Sequence, residues 1–469
     1  MPTLIIPVEI QHREIHAASI LALEALRQNW TVYLGQKQQI FPFIKFFPKS
    51  FWYLKSIVPG ETDNLKKIKK YGHIISTLDI EGLILSNGDF GVHKRYSDLS
   101  LSLADRIFFW GKISHYEPVL KCFPSIKSKA FLSGSPVVDA WNIEKNKKIT
   151  KSNGNQKSIL ISVNFARADK RLQKIRKEYE AFYSGIKKKS ENSIDNYNIL
   201  ELEYELKDKS FEIFKNIIPK IAKEFQSYKI IVRPHPEENK KFWINYLKNY
   251  KNIKVNNSKT TSDQLLNCDI FIHFNSTMSI QSNFFNKTTI MYNTIKDIKL
   301  NSVISPITQN VSILCDSEIK LFEIIKNHEK IKYEYESDIN NYIEINNNEN
   351  CNGNSEKIMK NLDDYHKGLP LKEDLNDYTN SLNAFLDFLN YHFKYFAMFS
   401  IGIASFLLVF LKKKYRRFSW RYVIGKKKWS RLTKQKFTTI LKQVSLDENF
   451  IDNVNIKKHY SGFFKLTKK

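Results

Sequence analysis

Acidic residues are scarce where this 469-residue chain ends. Residues 412–469 hold 18 Lys and Arg against 3 Asp and Glu, so +15 of the formal net charge of +26 sits in an eighth of the chain. The other +11 is spread over 411 residues and points to no partner. Cysteine is also sparse. Cys122, Cys268, Cys315 and Cys351 lie far apart with no CxxC spacing, which predicts neither a disulfide framework nor a zinc site and fits a reducing compartment. No Asp-x-Asp pair falls on a plausible strand end, so metal-independent chemistry is expected. The first residues, Met1-Pro2-Thr3-Leu4-Ile5-Ile6-Pro7, lack the basic region and long apolar core of a signal peptide, and the folded body is expected in the cytoplasm.

With 42% apolar residues, the length fits two α/β domains and an appendage. Leu4–Ile10 reads as a buried strand, His12–Asn29 as a helix and Thr31–Gly35 as a strand, the βαβ start of a parallel sheet. His73–Leu78, Arg106–Gly111 and Lys129–Ser135 are further strands, and residues 145–157 read as a linker. A second series opens at Ser158–Phe165. After a charged helical insertion over about 167–210 comes a helix over Phe211–Gln226, in which Pro219 predicts a kink or break. Strands follow at Lys229–Val232, Ile253–Asn256, Asp269–His273 and Thr288–Tyr292. The fold class expected is α/β, with two Rossmann-like domains over 1–145 and 155–370 facing a cleft. Residues 338–354, rich in Asn, read as a loose surface loop, and 371–392 return to helical character.

Two strand ends carry phosphate-seeking side chains. Lys229–Val232 runs into Arg233-Pro234-His235-Pro236, and Phe271-Ile272-His273 leads to Ser276-Thr277. Such ends meet at the ligand rim of an open parallel sheet. Arginine offers a planar fork to phosphate oxygens, the prolines stiffen the loop, and Ser276 and Thr277 open a helical segment whose N–H groups favour anions. A salt-bridged strand-end loop and plain helix caps are the bland alternatives. His273, alternating with Ile272 and Phe274, reads as a core histidine. At the other rim, Glu9, Glu14, Asp79 and Glu81 are candidates for the base that takes a hydroxyl proton, with Glu81 and Glu14 ahead of Asp79.

These pieces, in order, resemble the bacterial surface carbohydrate (surface polysaccharide) biosynthesis proteins. The carrying residues are Pro7-Val8-Glu9 with Arg13-Glu14, Ser76-Thr77-Leu78-Asp79-Ile80-Glu81-Gly82, Ala104–Gly111, Ser133-Gly134-Ser135-Pro136-Val137-Val138-Asp139, Arg233-Pro234-His235-Pro236 and Ser276-Thr277. The resemblance covers roughly residues 3–300 and extends more distantly to capsule Kdo transferases and teichoic-acid glycerophosphotransferases, which look like GT-B glycosyltransferases. It implies a nucleotide-activated donor, CMP- or CDP-linked, held on the C-terminal domain by Arg233, His235, Ser276, Thr277 and Gln281. It also implies a lipid-linked or glycan acceptor on the N-terminal side. Relatives tend to carry Glu where this chain has Gln281, and Gly134-Ser135-Pro136-Val137 lacks the basic residue of the corresponding turn. A non-catalytic nucleotide-sugar-binding or assembly protein of the same pathway is the alternative.

The expected C-terminal region, 393–469, joins an apolar helix to a basic tail. Tyr395–Leu411 is a 17-residue run without charge, followed at once by Lys412-Lys413-Lys414-Tyr415-Arg416-Arg417. It is near the minimum for spanning, but one crossing with the tail inside would put residues 1–394 away from cytoplasmic donors. A re-entrant or interfacial helix is preferred, with the tail on anionic lipid at the inner face of the cytoplasmic membrane. No nucleic-acid motif accompanies the charge, and no nucleic-acid partner is expected.

Overall fold

Thr3–Val8 is apolar at nearly every position and buried at all six, the pattern of a strand covered on both faces. It forms β1 of a computed structural model that describes residues 1–83, 85, 88–149, 156–165, 193–235, 238–256, 260–330, 336–346, 352–369, 432–445, 447–458 and 463–469. β1 is followed by the first helix, Gln11–Arg27, and by β2 (Thr31–Gln36), β3 (Phe51–Leu54), β4 (Ile74–Leu78), β5 (Arg106–Phe109) and β6 (Ala130–Leu132). The second series is β7 (Ser158–Val163), β8 (Lys229–Pro234), β9 (Ile253–Val255), β10 (Ile270–His273), β11 (Thr288–Tyr292) and β12 (Ile313–Cys315). Near the C-terminus come β13 (Val454–Lys458) and β14 (Phe463–Lys468). β3, β12, β13 and β14 were not anticipated from the sequence.

The strands build two sheets. One has the order β13-β14-β2-β1-β3-β4-β5-β6, the other β12-β11-β10-β7-β8-β9. All pairs are parallel except β13–β14 and β14–β2. In each sheet the order reverses beside the first strand of the series, at β1–β3 and at β7–β10. In open α/β sheets the ligand crevice lies outside the carboxyl ends of the strands at such a point.

Four readings need correction. The helix Pro136–Ile149 runs into the expected linker. The helix Ser193–Glu224 continues through Pro219 without a break. The carbonyl that Pro219 leaves without its helical donor, that of Lys215, instead accepts the Tyr246 hydroxyl at 3.2 Å. The Asn-rich stretch is no loose loop where it is described. Residues Glu336–Tyr342 are helical, and Gly353–Lys367 forms a long helix whose first turn is buried. Its asparagines bond back to the N-terminal domain. Asn352 Nδ2 donates to Glu24 at 2.6 Å and Asn354 Nδ2 to the Ser135 carbonyl at 3.1 Å.

The fourth correction concerns the tail. Its described parts, 432–445, 447–458 and 463–469, are built onto the first sheet and the first helix. β14 pairs antiparallel with β2, and the helix Lys434–Val444 buries Phe437, Leu441 and Val444. These parts contribute 8 Lys against 3 acids, whereas 412–431 holds 10 Lys and Arg with no acid. Tyr395–Leu411, 371–392 and 412–431 lie outside the described residues. Among the described residues no helix is long and apolar enough to cross a membrane.

Three helices from distant parts of the chain cover the first helix: Pro136–Ile149, Gly353–Lys367 and Lys434–Val444. One apolar cluster runs from Leu21 and Leu26 through Ile143 and Met359 to Leu265, Ile280 and Phe284 of the second series. The carboxylate of Asp139 caps Gly353–Lys367, accepting the N–H of Asn354 at 3.2 Å and the N–H and hydroxyl of Ser355 at 2.8 and 2.6 Å. Gly134, at φ +76°, lies so close to Asn354 that a Cβ would overlap its amide. The motif Ser133–Asp139 therefore fastens the returning chain to the N-terminal domain.

Candidate functional site

The carboxyl ends of β1, β3 and β4 bring together a dense set of charges. Glu9 follows β1, and its N–H donates to Glu14 Oε2 at 2.7 Å. Lys55, just after β3, reaches Glu9 at 2.8 Å and Glu14 at 3.4 Å. Arg13 pairs with Glu81 at 2.9 Å and with Glu14 at 3.4 Å. Glu14 is only 6% exposed, whereas the Glu81 side chain is half-exposed.

Asp79 sits deeper. Arg95 grips both its carboxylate oxygens, and the Tyr96 hydroxyl donates to it at 3.1 Å. The N–H of Glu81 does so at the same distance. Trp110 Nε1 closes the turn on the Asp79 carbonyl at 2.8 Å. Tyr96 also meets His115 Nε2 at 2.7 Å, and burial pushes the His115 imidazole down to about 3. Gly82 packs against the His115 ring and the Tyr96 hydroxyl, where a Cβ would not fit. The four candidate carboxylates thus stand together: Glu81 is half-exposed, Glu9 partly exposed, and Glu14 and Asp79 are buried. Burial acts to raise the Glu81 carboxyl, yet Arg13, Arg95 and Lys55 together hold it below the usual glutamate range.

In the second sheet, Arg233 lies opposite Ser162 in the β7–β8 register. Its guanidinium donates to Gln264 Oε1 and, at 3.4 Å, to the Thr261 hydroxyl. Burial lowers its pKa. The N–H of His235 bonds the Val163 carbonyl at 2.9 Å, which ties the loop after β8 to the end of β7. It also lies 3.4 Å from Glu238 Oε2. Burial raises Glu238 to about 7, and Trp243 Nε1 donates to it at 3.0 Å. Sequence reasoning missed this carboxyl because nothing local distinguishes it from Glu237.

After β10 the chain turns through Asn275 at φ 47°. Ser276 then comes within 3.5 Å of Ser162, hydroxyl to hydroxyl. His273, read as a core histidine, is fully buried. Its Nε2 meets Ser312 at 2.9 Å and its Nδ1 accepts the Ser276 N–H at 3.3 Å. The Ser276 hydroxyl accepts the N–H of Met278 at 3.3 Å, and Thr277 is the residue before the helix Met278–Phe284. Gln281 is buried and donates to the Ser262 hydroxyl at 2.7 Å. Arg233, His235 and Ser276 therefore stand near the carboxyl end of β7, while the buried Gln281 amide bonds to Ser262.

His12 lies in the first turn of the first helix, and desolvation, with Arg13 and Arg233, holds its imidazole below the usual histidine range. Among the described residues no group of three or more His, Cys, Asp or Glu is placed to hold a metal ion.

No protein-family model and no curated protein sequence matches the chain. Solved structures with a similar fold include the UDP-GlcNAc 2-epimerase of Neisseria meningitidis bound to UDP-GlcNAc, at 12% identity over 78% of this chain and 100% of that one, TM-score 0.44. The UDP-GlcNAc 2-epimerase of Methanocaldococcus jannaschii in complex with UDP-GlcNAc and UDP is 17% identical over 77% of this chain and 99% of that one, TM-score 0.41. A wall teichoic acid polymerase is 13% identical over 78% and 88%, TM-score 0.42. At these identities and TM-scores the matches assign the chain no activity.

Proposed function

We propose that this protein transfers a sugar, or a polyol phosphate, from a nucleotide-activated donor to a lipid-linked or glycan acceptor in surface polysaccharide biosynthesis. The observation that carries the reading is the pair of polar clusters at strand carboxyl ends, one with Arg233, His235 and Ser276 at β7–β8–β10, the other with carboxylates at β1–β4. In this reading Arg233 and His235 hold the donor diphosphate, with Ser276 and Thr277 beside it, and Gln281 supports the site from behind. Glu81 takes the acceptor hydroxyl proton as that oxygen bonds the reacting carbon or phosphorus. The bond to the nucleotide breaks in the same step, and the nucleotide departs with its electron pair. Glu14 and Asp79 hold Arg13, Lys55 and Arg95 in place around Glu81.

Residues 395–431 supply apolar and basic surface for the inner face of the cytoplasmic membrane, where a lipid-linked acceptor would be met. The inward-turned Gln281 favours a second reading, a binding protein of the same pathway without turnover. A thermal-shift screen with CMP-, CDP-, UDP- and GDP-activated compounds, followed by assay of nucleotide release with a lipid acceptor, tests both. Binding with release supports the transferase. Binding alone favours the second reading, and no binding by any of them overturns both.

A further inference from the structure

The structure assigns Gln264 as the positioning residue for Arg233: an uncharged side chain that aims the guanidinium into the crevice beside β7. The inference rests on the donor-site reading and goes beyond it, since nothing in the sequence pattern pointed to this residue.

Gln264 is 2% exposed and held at both ends of its amide. Its Nε2 donates to the Asn256 carbonyl at 3.0 Å, and the Asn256 N–H donates to Val232 of β8 at 2.9 Å. That contact fixes which way the amide points, so its oxygen faces Arg233 and accepts from Nη1. Thr261, on the same short helix Thr261–Leu266, receives Nη2 at 3.4 Å. Ser262 of that helix holds Gln281, and Leu265 is buried in the apolar cluster shared with Val138 and Ile143 of the N-terminal domain. The helix that aims Arg233 is therefore set by the packing between the two domains.

The choice of partner has a chemical consequence. A carboxylate in place of the Gln264 amide would grip the guanidinium more tightly but would compete with phosphate for the same charge. The Gln264 amide and the Thr261 hydroxyl restrain the side chain, so part of the cost of ordering it falls on folding rather than on binding.

The test is calorimetry on the full chain with CDP, UDP and GDP and with their nucleosides, comparing Arg233→Ala, Gln264→Met, Gln264→Glu and the double variant Arg233→Ala/Gln264→Met. Gln264→Met should weaken diphosphate binding about three- to tenfold, the cost of ordering one long side chain. Gln264→Glu should weaken it further, and neither should change nucleoside affinity. The double variant should be no weaker than Arg233→Ala. Unchanged diphosphate affinity in Arg233→Ala overturns the donor-site reading itself. If Arg233→Ala weakens binding but the Gln264 variants do not, or lose nucleoside and diphosphate affinity alike, the positioning role is overturned. Should Gln264→Met not fold, Thr261→Val, which removes the second restraint on Arg233, carries the same comparison.

Discussion

Asp79, Glu14 and Glu81 are carboxylates held in three different ways, and substitution separates them. Asp79 is the buried counter-charge of Arg95. Asp79→Asn leaves that guanidinium with the longer Glu81 contact at 3.4 Å and should cost about 1–3 kcal/mol of stability, read by urea unfolding. Glu81 is half-exposed. Glu81→Gln should leave folding and donor affinity near native while turnover falls about 10²- to 10⁴-fold, the range of a lost general base. Near-native turnover in Glu81→Gln would remove it from the chemistry. Asp139 carries a pH signature. Burial, outweighing its bonds to Ser355 and Asn354, raises it to about 7. The folded protein then holds this proton more tightly than the unfolded chain does. Its contribution to stability is therefore present at low pH and is lost as pH rises from about 4 toward 7. Asp139→Asn should flatten that part of the stability profile. At this scale the sequence showed which residue types gather at strand ends. It did not show Arg95, Gln264 or Glu238, because their partners lie 16 and 31 residues away or depend on burial that local pattern does not encode.

Most strands were legible as apolar runs bounded by turns, because strands buried on both faces leave that signature. β3 was not, since Phe51-Trp52-Tyr53-Leu54 is short and follows an equally aromatic stretch. The break expected at Pro219 is absent, and a side-chain hydroxyl from another helix takes the carbonyl that the proline leaves without a donor. The Asn-rich stretch misled because polar composition implies a solvated loop unless tertiary partners take up its polar groups, as Glu24 and Ser135 do for the Asn352 and Asn354 amides and Asp139 for the Asn354 N–H. Gly134 is the sharpest test of that docking. Gly134→Ala adds a Cβ against Asn354 at a left-handed backbone position. It should lower stability by about 1–3 kcal/mol, measured as a shift in the denaturant midpoint.

For the molecule as a whole, the returning C-terminus changes which experiment isolates the membrane segment. Ending the chain at Asn390 would remove Phe437, Leu441, Phe464 and Leu466, all fully buried, and uncover the first helix and the β2 edge. That truncation should give an aggregating protein whatever residues 395–411 do. Excising 393–431 and joining the ends with a Gly/Ser linker should instead leave a cooperatively folding protein. It should lose the salt-resistant binding to phosphatidylglycerol vesicles expected of the full chain, scored by co-sedimentation. Equal binding by both proteins would place membrane attachment elsewhere.

The helices Gly353–Lys367 and Lys434–Val444 both pack on the first helix, so the chain departs from and returns to one body on one side of any bilayer. A path with both ends on the same side crosses an even number of times. A lone 17-residue uncharged run is long enough for one passage and too short for two. We therefore predict that a run of this length enters and leaves the lipid by one leaflet rather than crossing it. Cysteines introduced at residues 385 and 425 should both react with an impermeant thiol reagent from the same face.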